Sequence, residues 1–462
     1  MRAFAIGLLL LVACTRDLGV SDRKFGCASD GDCAGGHVCD PTFGFCVPPA
    51  SATVCSVPDQ CGDCVALSTR CFGEEEQQCT SDGRWAPPIA CGEGRPTCTD
   101  RACPRITLPR SLANLFSCVV YDDAQVRCWG SRDGGAIGLL SSAALPTIVE
   151  ALTDVRELAL GQNHACAVTG DGRVSCWGDN RYGQANKMLD DRVTLPIVVP
   201  EVRDAKHISL GVEHSCALLG DRTVTCWGNG QDGQVGYAPR GPRMQPGAVT
   251  GLGDVVEIHT GTDRSCAIKS DGSVWCWGKN GVCGLFGLDP ESETMPGGGR
   301  HNEPVEVPAL RGRVKQLSLG DFHTCAVFED DAAYCWGCNG EGQAGPGGDP
   351  TPITRVLDAP VGAIDTGFRS TCAIHGLGTL MCFGANHHGQ IGNGVKGPAV
   401  LEPSLVPLGP RYAVQLTVQW EHVCVVTNDQ ELLCWGLNND RQAGDQTMVD
   451  IVSPKPVIFT AP

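Results

Sequence analysis

A pair of cysteines ten residues apart recurs seven times between residues 118 and 434, and no other feature narrows the folding options of this chain so far. The pairs are Cys118 with Cys128, Cys166 with Cys176, Cys216 with Cys226, Cys266 with Cys276, Cys325 with Cys335, Cys372 with Cys382, and Cys424 with Cys434. In the second unit, GQNHACAVTGDGRVSCWGDNRYGQ at 161–184, Gly170-Asp171-Gly172 sits midway between the cysteines. It reads as a three-residue hairpin loop, with Gly172 suited to positive φ. Reversal there sets Thr169 against Arg173, Val168 against Val174 and Cys166 against Cys176. Directly opposed residues on antiparallel strands lie close enough for a disulfide, so each hairpin is expected to be stapled across its own strands. Side chains alternate, which puts the cysteines with Val168 and Val174 on one face and Ala167 and Ser175 on the other. Small or apolar residues on both faces suit a sheet covered on both sides.

Successive first cysteines are 48, 50, 50, 59, 47 and 52 residues apart. A period near fifty fits the four-stranded blade of a β-propeller, and 60 Gly with 30 Pro favour turn-rich β structure. Trp-Gly follows the second cysteine in six units, at Trp129, Trp177, Trp227, Trp277, Trp336 and Trp435, while Phe383 stands in the sixth unit. Asn180, Asn280, Asn339, Asn386 and Asn438 recur three residues after the aromatic, and Gly-Gln ends at Gln184, Gln234, Gln343 and Gln390. This text resembles the regulator of chromosome condensation repeat family over residues 104–462. The resemblance implies an all-β, seven-bladed β-propeller with disulfide-stapled hairpins. Ring closure is expected to pair the C-terminal segment Pro454–Phe459 with the incomplete first unit near Ile106–Val120.

Two residues before the first cysteine stand His164, His214, His323 and His422, with Phe116, Arg264 and Ser370 at that place in other units. The repeat spreads these histidines around a ring, and in the family they are packing and hydrogen-bonding elements. The adjacent His387 and His388 read as loop surface. Asp171, Asp221, Asp271, Asp330 and Asp429 read as turn formers, because Asp bonds its own backbone there. No serine nucleophile elbow, HExxH or phosphate loop is present, so no catalytic residue, metal site or cofactor is expected.

Residues 1–13 read as a signal, with Arg2 ahead of an apolar run too short to be a permanent span. The run ends Leu11-Val12-Ala13-Cys14, which resembles a bacterial lipobox. That resemblance implies lipidation at Cys14, membrane attachment through that lipid, and a linker over 14–26. It also implies an exported lipoprotein at the outer membrane or cell surface. An ordinary secretory signal is the alternative. Residues 27–103 hold twelve cysteines and few long apolar runs. Such a segment depends on disulfides rather than a core, and resembles small cysteine-rich modules of myxobacterial exported proteins. Cys61-x-x-Cys64 could be half a zinc site, but no second CxxC or histidine pair completes it. Of 29 cysteines, stalk and hairpins leave Cys14, Cys283 and Cys338. The last two follow the fourth and fifth hairpins, where adjacent blades could bridge them.

The charge balance, 35 Lys+Arg against 52 Asp+Glu, opposes nucleic-acid binding. An exported, acidic chain is also a poor partner for a small GTPase, so the family's guanine-nucleotide exchange activity is not expected. A secreted bacterial member binds its enzyme target through propeller loops, which is the nearer precedent. The expected function is a monomeric, non-catalytic recognition scaffold, displayed at the surface and binding an extracellular protein or glycan through its loops. Alternatives are an extracytoplasmic hydrolase or lyase working in the propeller funnel, or a purely structural envelope protein. The longest insertion, Leu288–Glu303, accounts for the 59-residue interval and offers Glu291, Glu293, Arg300 and His301 as contact residues.

Overall fold

The computed structural model describes residues 106–459, apart from 112, 122, 140–141, 187–189, 282 and 288–298, and the backbone of five short strands before them. Cys14, Glu291 and Glu293 lie outside the described residues, as do the disulfides expected within 27–103. Two compact units divide the chain, the first made of residues 1–72 and 77–88. In it Val38–Asp40 pairs with Phe45–Val47, which sets Cys39 opposite Cys46 in register.

The second unit carries seven antiparallel sheets in succession, each built essentially from one contiguous stretch of chain. Blade 2 shows the plan: Val155–Leu160, His164–Thr169, Val174–Asp179 and Arg192–Val198 run from the inside to the rim, and Arg110–Ser111 adds a short parallel strand on the inner edge, beside Ala159 and Leu160. The hairpin register sets Cys166 opposite Cys176 and Val168 opposite Val174, and Gly172 adopts φ 77°.

Every ten-residue pair is bonded, as the opposed register requires. Cys118 joins Cys128, Cys166 joins Cys176, and Cys216 joins Cys226, each with a Cα separation of 4.1 Å. In blades 4 and 5, Cys266 joins Cys276 at 4.0 Å and Cys325 joins Cys335 at 4.1 Å. Cys372 joins Cys382 at 4.1 Å, and Cys424 joins Cys434 at 4.2 Å. The turn aspartates act on the loop itself: Asp221 accepts from Thr223 N at 3.0 Å and Asp271 from Ser273 N at 3.0 Å.

Blades are glued to one another by the recurring columns of the repeat text. Each loop asparagine folds the segment after the third strand, as when Asn339 Oδ1 accepts from Ala344 N at 2.8 Å. The loop glutamine then turns its backbone carbonyl toward the next blade. Trp227 Nε1 donates to Gln184 O at 2.8 Å, Trp277 Nε1 to Gln234 O at 2.8 Å and Trp435 Nε1 to Gln390 O at 3.0 Å. A hydroxyl one residue before the first cysteine donates to the same carbonyl, as from Ser215 (2.9 Å) and Ser265 (3.0 Å). Phe383 lacks the indole donor, yet Thr371 Oγ1 still reaches Gln343 O at 2.8 Å.

Ring closure differs from the sequence expectation. The C-terminal strand Ile451–Pro456 pairs inside its own blade, with Leu433 opposite Pro456, and not with the first unit. Blade 1 fills its innermost place from its own chain, Ile106–Thr107 beside Phe116–Tyr121. No strand passes between blades 7 and 1, because neither lacks one. Closure uses the bonds of the other interfaces: Trp129 Nε1 and Ser117 Oγ both donate to Gln442 O, at 2.9 and 2.8 Å. Tyr121 and Phe459 add an edge-on aromatic contact at 5.4 Å.

Candidate functional site

Strands alternate in direction within a blade, so the turn after the first strand and the loop after the third share one end of the ring. That end is the upper face. Its turns are joined around the ring by backbone bonds, including Phe368 N to Trp420 O at 2.9 Å and Trp420 N to Ala113 O at 3.0 Å.

Three of these turns carry aromatic side chains. Phe368 and Trp420 stack with centroids 4.4 Å apart and planes 23° from parallel, and Phe322 meets Phe368 edge-on at 5.2 Å. All three are only half-buried, unlike the tryptophans that follow the second cysteine of each hairpin, which are fully enclosed. The Arg369 guanidinium lies 4.9 Å from the Phe322 centroid and 5.2 Å from that of Phe368, and its Nη1 is 3.7 Å from Glu341. This aromatic shelf spans the turns of blades 5, 6 and 7.

Beside it, between blades 4 and 5, a pocket of about 200 Å³ is lined by Asp263, Arg264, Lys279, Asp321 and Phe322, with Cys283 and Cys338 at its wall. Those two cysteines are bonded, Cα–Cα 5.1 Å, tying the loops of adjacent blades. Arg264 fills the place that histidine holds elsewhere. Its guanidinium is fully buried and donates to His323 O at 2.7 Å and to Asp321 O at 3.2 Å, while Nε has no partner. Burial lowers Arg264 to about 10, which leaves it charged at neutral pH. Burial raises the carboxyls of Asp263 and Asp321 above the ordinary range; the Lys279 charge opposes this at Asp263, and the Arg264 charge does so at Asp321.

The axial channel is a separate space of about 170 Å³, lined by Ser209, His259, Thr260, Gln316, Ser318 and Asp365 among others. Its polar groups join neighbouring inner strands: Ser209 to Thr260 at 2.7 Å, Ser318 to Asp365 at 2.8 Å, and Val418 N to Asp365 Oδ2 at 2.7 Å. Among the described residues no group of three or more His, Cys, Asp or Glu is placed to hold a metal ion.

Of the four insertion residues, Arg300 and His301 are among the described ones. Arg300 opens the outer strand Arg300–Glu306 of blade 4 and is ion-paired with Asp232. His301 is half-buried against Phe286 at 5.6 Å, and burial lowers its pKa. Neither lines the pocket. His388 Nδ1 meets Asp450 at 2.8 Å and His387 Nε2 lies 3.5 Å from Glu341. The four repeat histidines bridge blades: His164 Nε2 to Ser215 (3.1 Å), His214 to Ser265 (2.9 Å), His323 to Thr371 (2.7 Å) and His422 to Ser117 (2.9 Å). The aromatic shelf escaped the sequence reading. Its signal was bulky rings in the otherwise small or polar turn before the first cysteine.

A seven-bladed, disulfide-stapled propeller with an aromatic and charged loop face belongs to a class of ring scaffolds whose faces vary while their blades repeat. The RCC1-like domain family matches residues 95–418, and the chain belongs to that family. Its sequence is 27% identical over 162 residues to the ultraviolet-B receptor UVR8 of Arabidopsis thaliana, covering 34% of this chain and only 37% of that relative's length. Human WBSCR16 superposes with a TM-score of 0.64 at 20% identity, covering 72% of this chain and 94% of that one. Prp20p of Saccharomyces cerevisiae does so at 0.63 and 18% identity, covering 77% and 87%. Identities this low establish the fold alone.

Proposed function

We propose that the chain is a non-catalytic recognition scaffold, exported and lipid-anchored through Cys14, with a cysteine-rich stalk over 27–103 holding the propeller away from the membrane. Relatives with this fold include protein binders: Prp20p has been characterised for binding Gsp1p and histones. Neither partner is carried over to this acidic chain. The observation that carries the reading is the half-buried shelf of Phe322, Phe368 and Trp420 on the loop face. Aromatic side chains left part-exposed beside charged groups are the anchor chemistry of binding surfaces. Cysteine arithmetic supports export, because eight bonded pairs lie among the described residues. Cross-linking on intact cells tests recognition: a partner is captured by the native chain and lost when Phe368→Ala and Trp420→Ala are combined. Equal capture by both would remove the shelf from the reading. Labelled palmitate should enter the native chain and not Cys14→Ala; labelling of both would sink the anchor assignment.

One observation favours a second reading, hydrolysis at the same face. Asp263 and Asp321 share a pocket in which burial holds both toward the protonated form, as a general acid requires. Arg264 and Lys279 beside them point instead to a balanced binding site. Release of reducing ends from oligosaccharides, abolished by Asp263→Asn, would establish catalysis.

A further inference from the structure

The bonded cysteine pairs among the described residues differ in what can reach them. No cysteine of the seven hairpin staples is more than 1% exposed. Cys283 and Cys338 are both part-exposed, and both line the pocket between blades 4 and 5. We infer that the Cys283–Cys338 bridge is a site of thiol–disulfide exchange, opened by a dithiol that enters this pocket and felt in the turn that carries Phe322. The inference concerns the bridge alone and holds whether or not the aromatic shelf binds a partner.

A thiolate must touch a sulfur to exchange with it, so a pair sealed between blades reacts only when its blade opens. The pocket removes that requirement at Cys283 and Cys338. Asp263 and Asp321 line it together with Arg264 and Lys279, so an approaching thiolate meets no wall of one sign. The exchange moves two electrons. One thiolate of the dithiol attacks a bridge sulfur, the Cys283–Cys338 bond breaks, and the departing cysteine thiolate takes a proton from water. The second thiol of the reagent loses its proton to water and attacks the reagent's own sulfur in the mixed disulfide. That step releases the other cysteine, which is protonated in turn, and closes the reagent's disulfide. The fold selects a dithiol over a monothiol. The two Cα atoms are held 5.1 Å apart, so the freed cysteine re-closes on a mixed disulfide before a second monothiol arrives. A dithiol completes its second attack within one molecule.

The consequence of opening is local. Among the described pairs this bridge alone joins two blades, across 55 residues of sequence, while the others stay within one hairpin. Cys338 N donates to Phe322 O at 2.9 Å, so the blade 5 end of the tie is bonded to the turn of the shelf itself. Cutting the bridge leaves the blade interface standing. Arg264 still donates to His323 O and Asp321 O. Trp336 Nε1 and Thr324 Oγ1 still donate to Leu285 O, at 3.1 and 2.7 Å. Reduction therefore frees the loop ends at the pocket while every sheet and hairpin staple stays whole.

The test treats the full-length native chain with graded dithiothreitol, traps free thiols with iodoacetamide and maps the labelled cysteines of residues 104–462 by mass. Cys283 and Cys338 should be labelled together, about ten-fold or more faster than any hairpin cysteine, with the far-ultraviolet spectrum unchanged. Glutathione at equal thiol concentration should leave the bridge closed. Hydrogen exchange on the selectively reduced chain should speed at the Cys338 amide and not at the Val149 amide, which is bonded within blade 1. Cys283→Ser combined with Cys338→Ser should keep the native spectrum and show the faster amide at position 338 with or without dithiol. The inference is overturned if a hairpin pair is labelled as early as the bridge, if the bridge is labelled only once the β spectrum is lost, or if glutathione opens it equally well. A bridge that opens first while the Cys338 amide keeps its full protection would overturn the coupling to the Phe322 turn.

Discussion

His164, His214, His323 and His422 are fully enclosed, and burial pushes the first to about 4 and the others to about 3. Each ring therefore stays neutral while an unfolded histidine, with a pKa near 6.5, takes up a proton. The unfolded state binds more protons below that value, so stability is whole above pH 6.5 and falls as pH drops toward 4 to 3. A shift of one unit is worth about 1.4 kcal/mol, which makes the full loss about 3 kcal/mol for His164 and about 5 kcal/mol for each of the others over that window. Urea unfolding at pH 7.5 and 4.5 should show the decline, and His214→Gln should flatten it; an unchanged slope would remove these rings as the cause. Their recurrence was readable in the sequence, but their partners were not, because each bonds a hydroxyl of the next blade around the ring, about one repeat further on for His164, His214 and His323 and back at Ser117 for His422. The indoles behave similarly. Trp227→Phe leaves Gln184 O still bonded by Ser215 and should cost about 1 kcal/mol of hydrogen bonding, as the natural Phe383 blade suggests. Adding Ser215→Ala orphans a buried carbonyl, so the double variant should lose more than the two singles together.

At the scale of the hairpin, the staple restrains a short loop. Loop-closure entropy for ten residues gives about 2–3 kcal/mol per disulfide, and less if the reduced hairpin keeps its shape. Replacing Cys216 and Cys226 together by alanine should therefore lower the melting temperature while leaving the far-ultraviolet spectrum native, and should raise the rate of proteolytic cutting near Asp221. A variant that loses its β spectrum would show the staple to be essential to folding rather than a local restraint. The hairpins were legible because turn, register and cysteines lie within a dozen residues of each other. The fourth strands were harder to read: Leu195 and Val198 in Arg192–Val198 are each 45% exposed, and the register shifts between Cys176 and Gly178. Alternation fails there because the outer strand faces solvent. The shelf was harder still, since Phe322, Phe368 and Trp420 come from three turns about fifty residues apart and meet only when the ring forms.

For the whole ring, each terminal blade completes itself, so the junction of blades 7 and 1 holds by side chains and turns rather than a shared strand. Besides the Gln442 carbonyl, Gln415 works as a clasp: its Oε1 accepts from Leu108 N at 3.0 Å and its Nε2 donates to Ile106 O at 3.0 Å. Gln316 makes the equivalent pair of bonds to Ile364 between blades 5 and 6. The difference is one of connection, because blades 5 and 6 are also consecutive in the chain, whereas blades 7 and 1 are not. Opening at the 7–1 junction breaks no covalent path and leaves every blade's own sheet intact, so it is the cheapest sub-global opening available to the ring. Hydrogen exchange should accordingly find the Leu108 and Trp420 amides, both bonded across this junction, less protected than the Ile364 amide bonded across the 5–6 junction. Gln415→Ala should speed exchange at Leu108 several-fold with little change at Ile364, while Gln316→Ala should do the reverse. Equal protection at both junctions, or a Gln415→Ala effect spread evenly around the ring, would mean that the propeller opens only by unfolding as a whole.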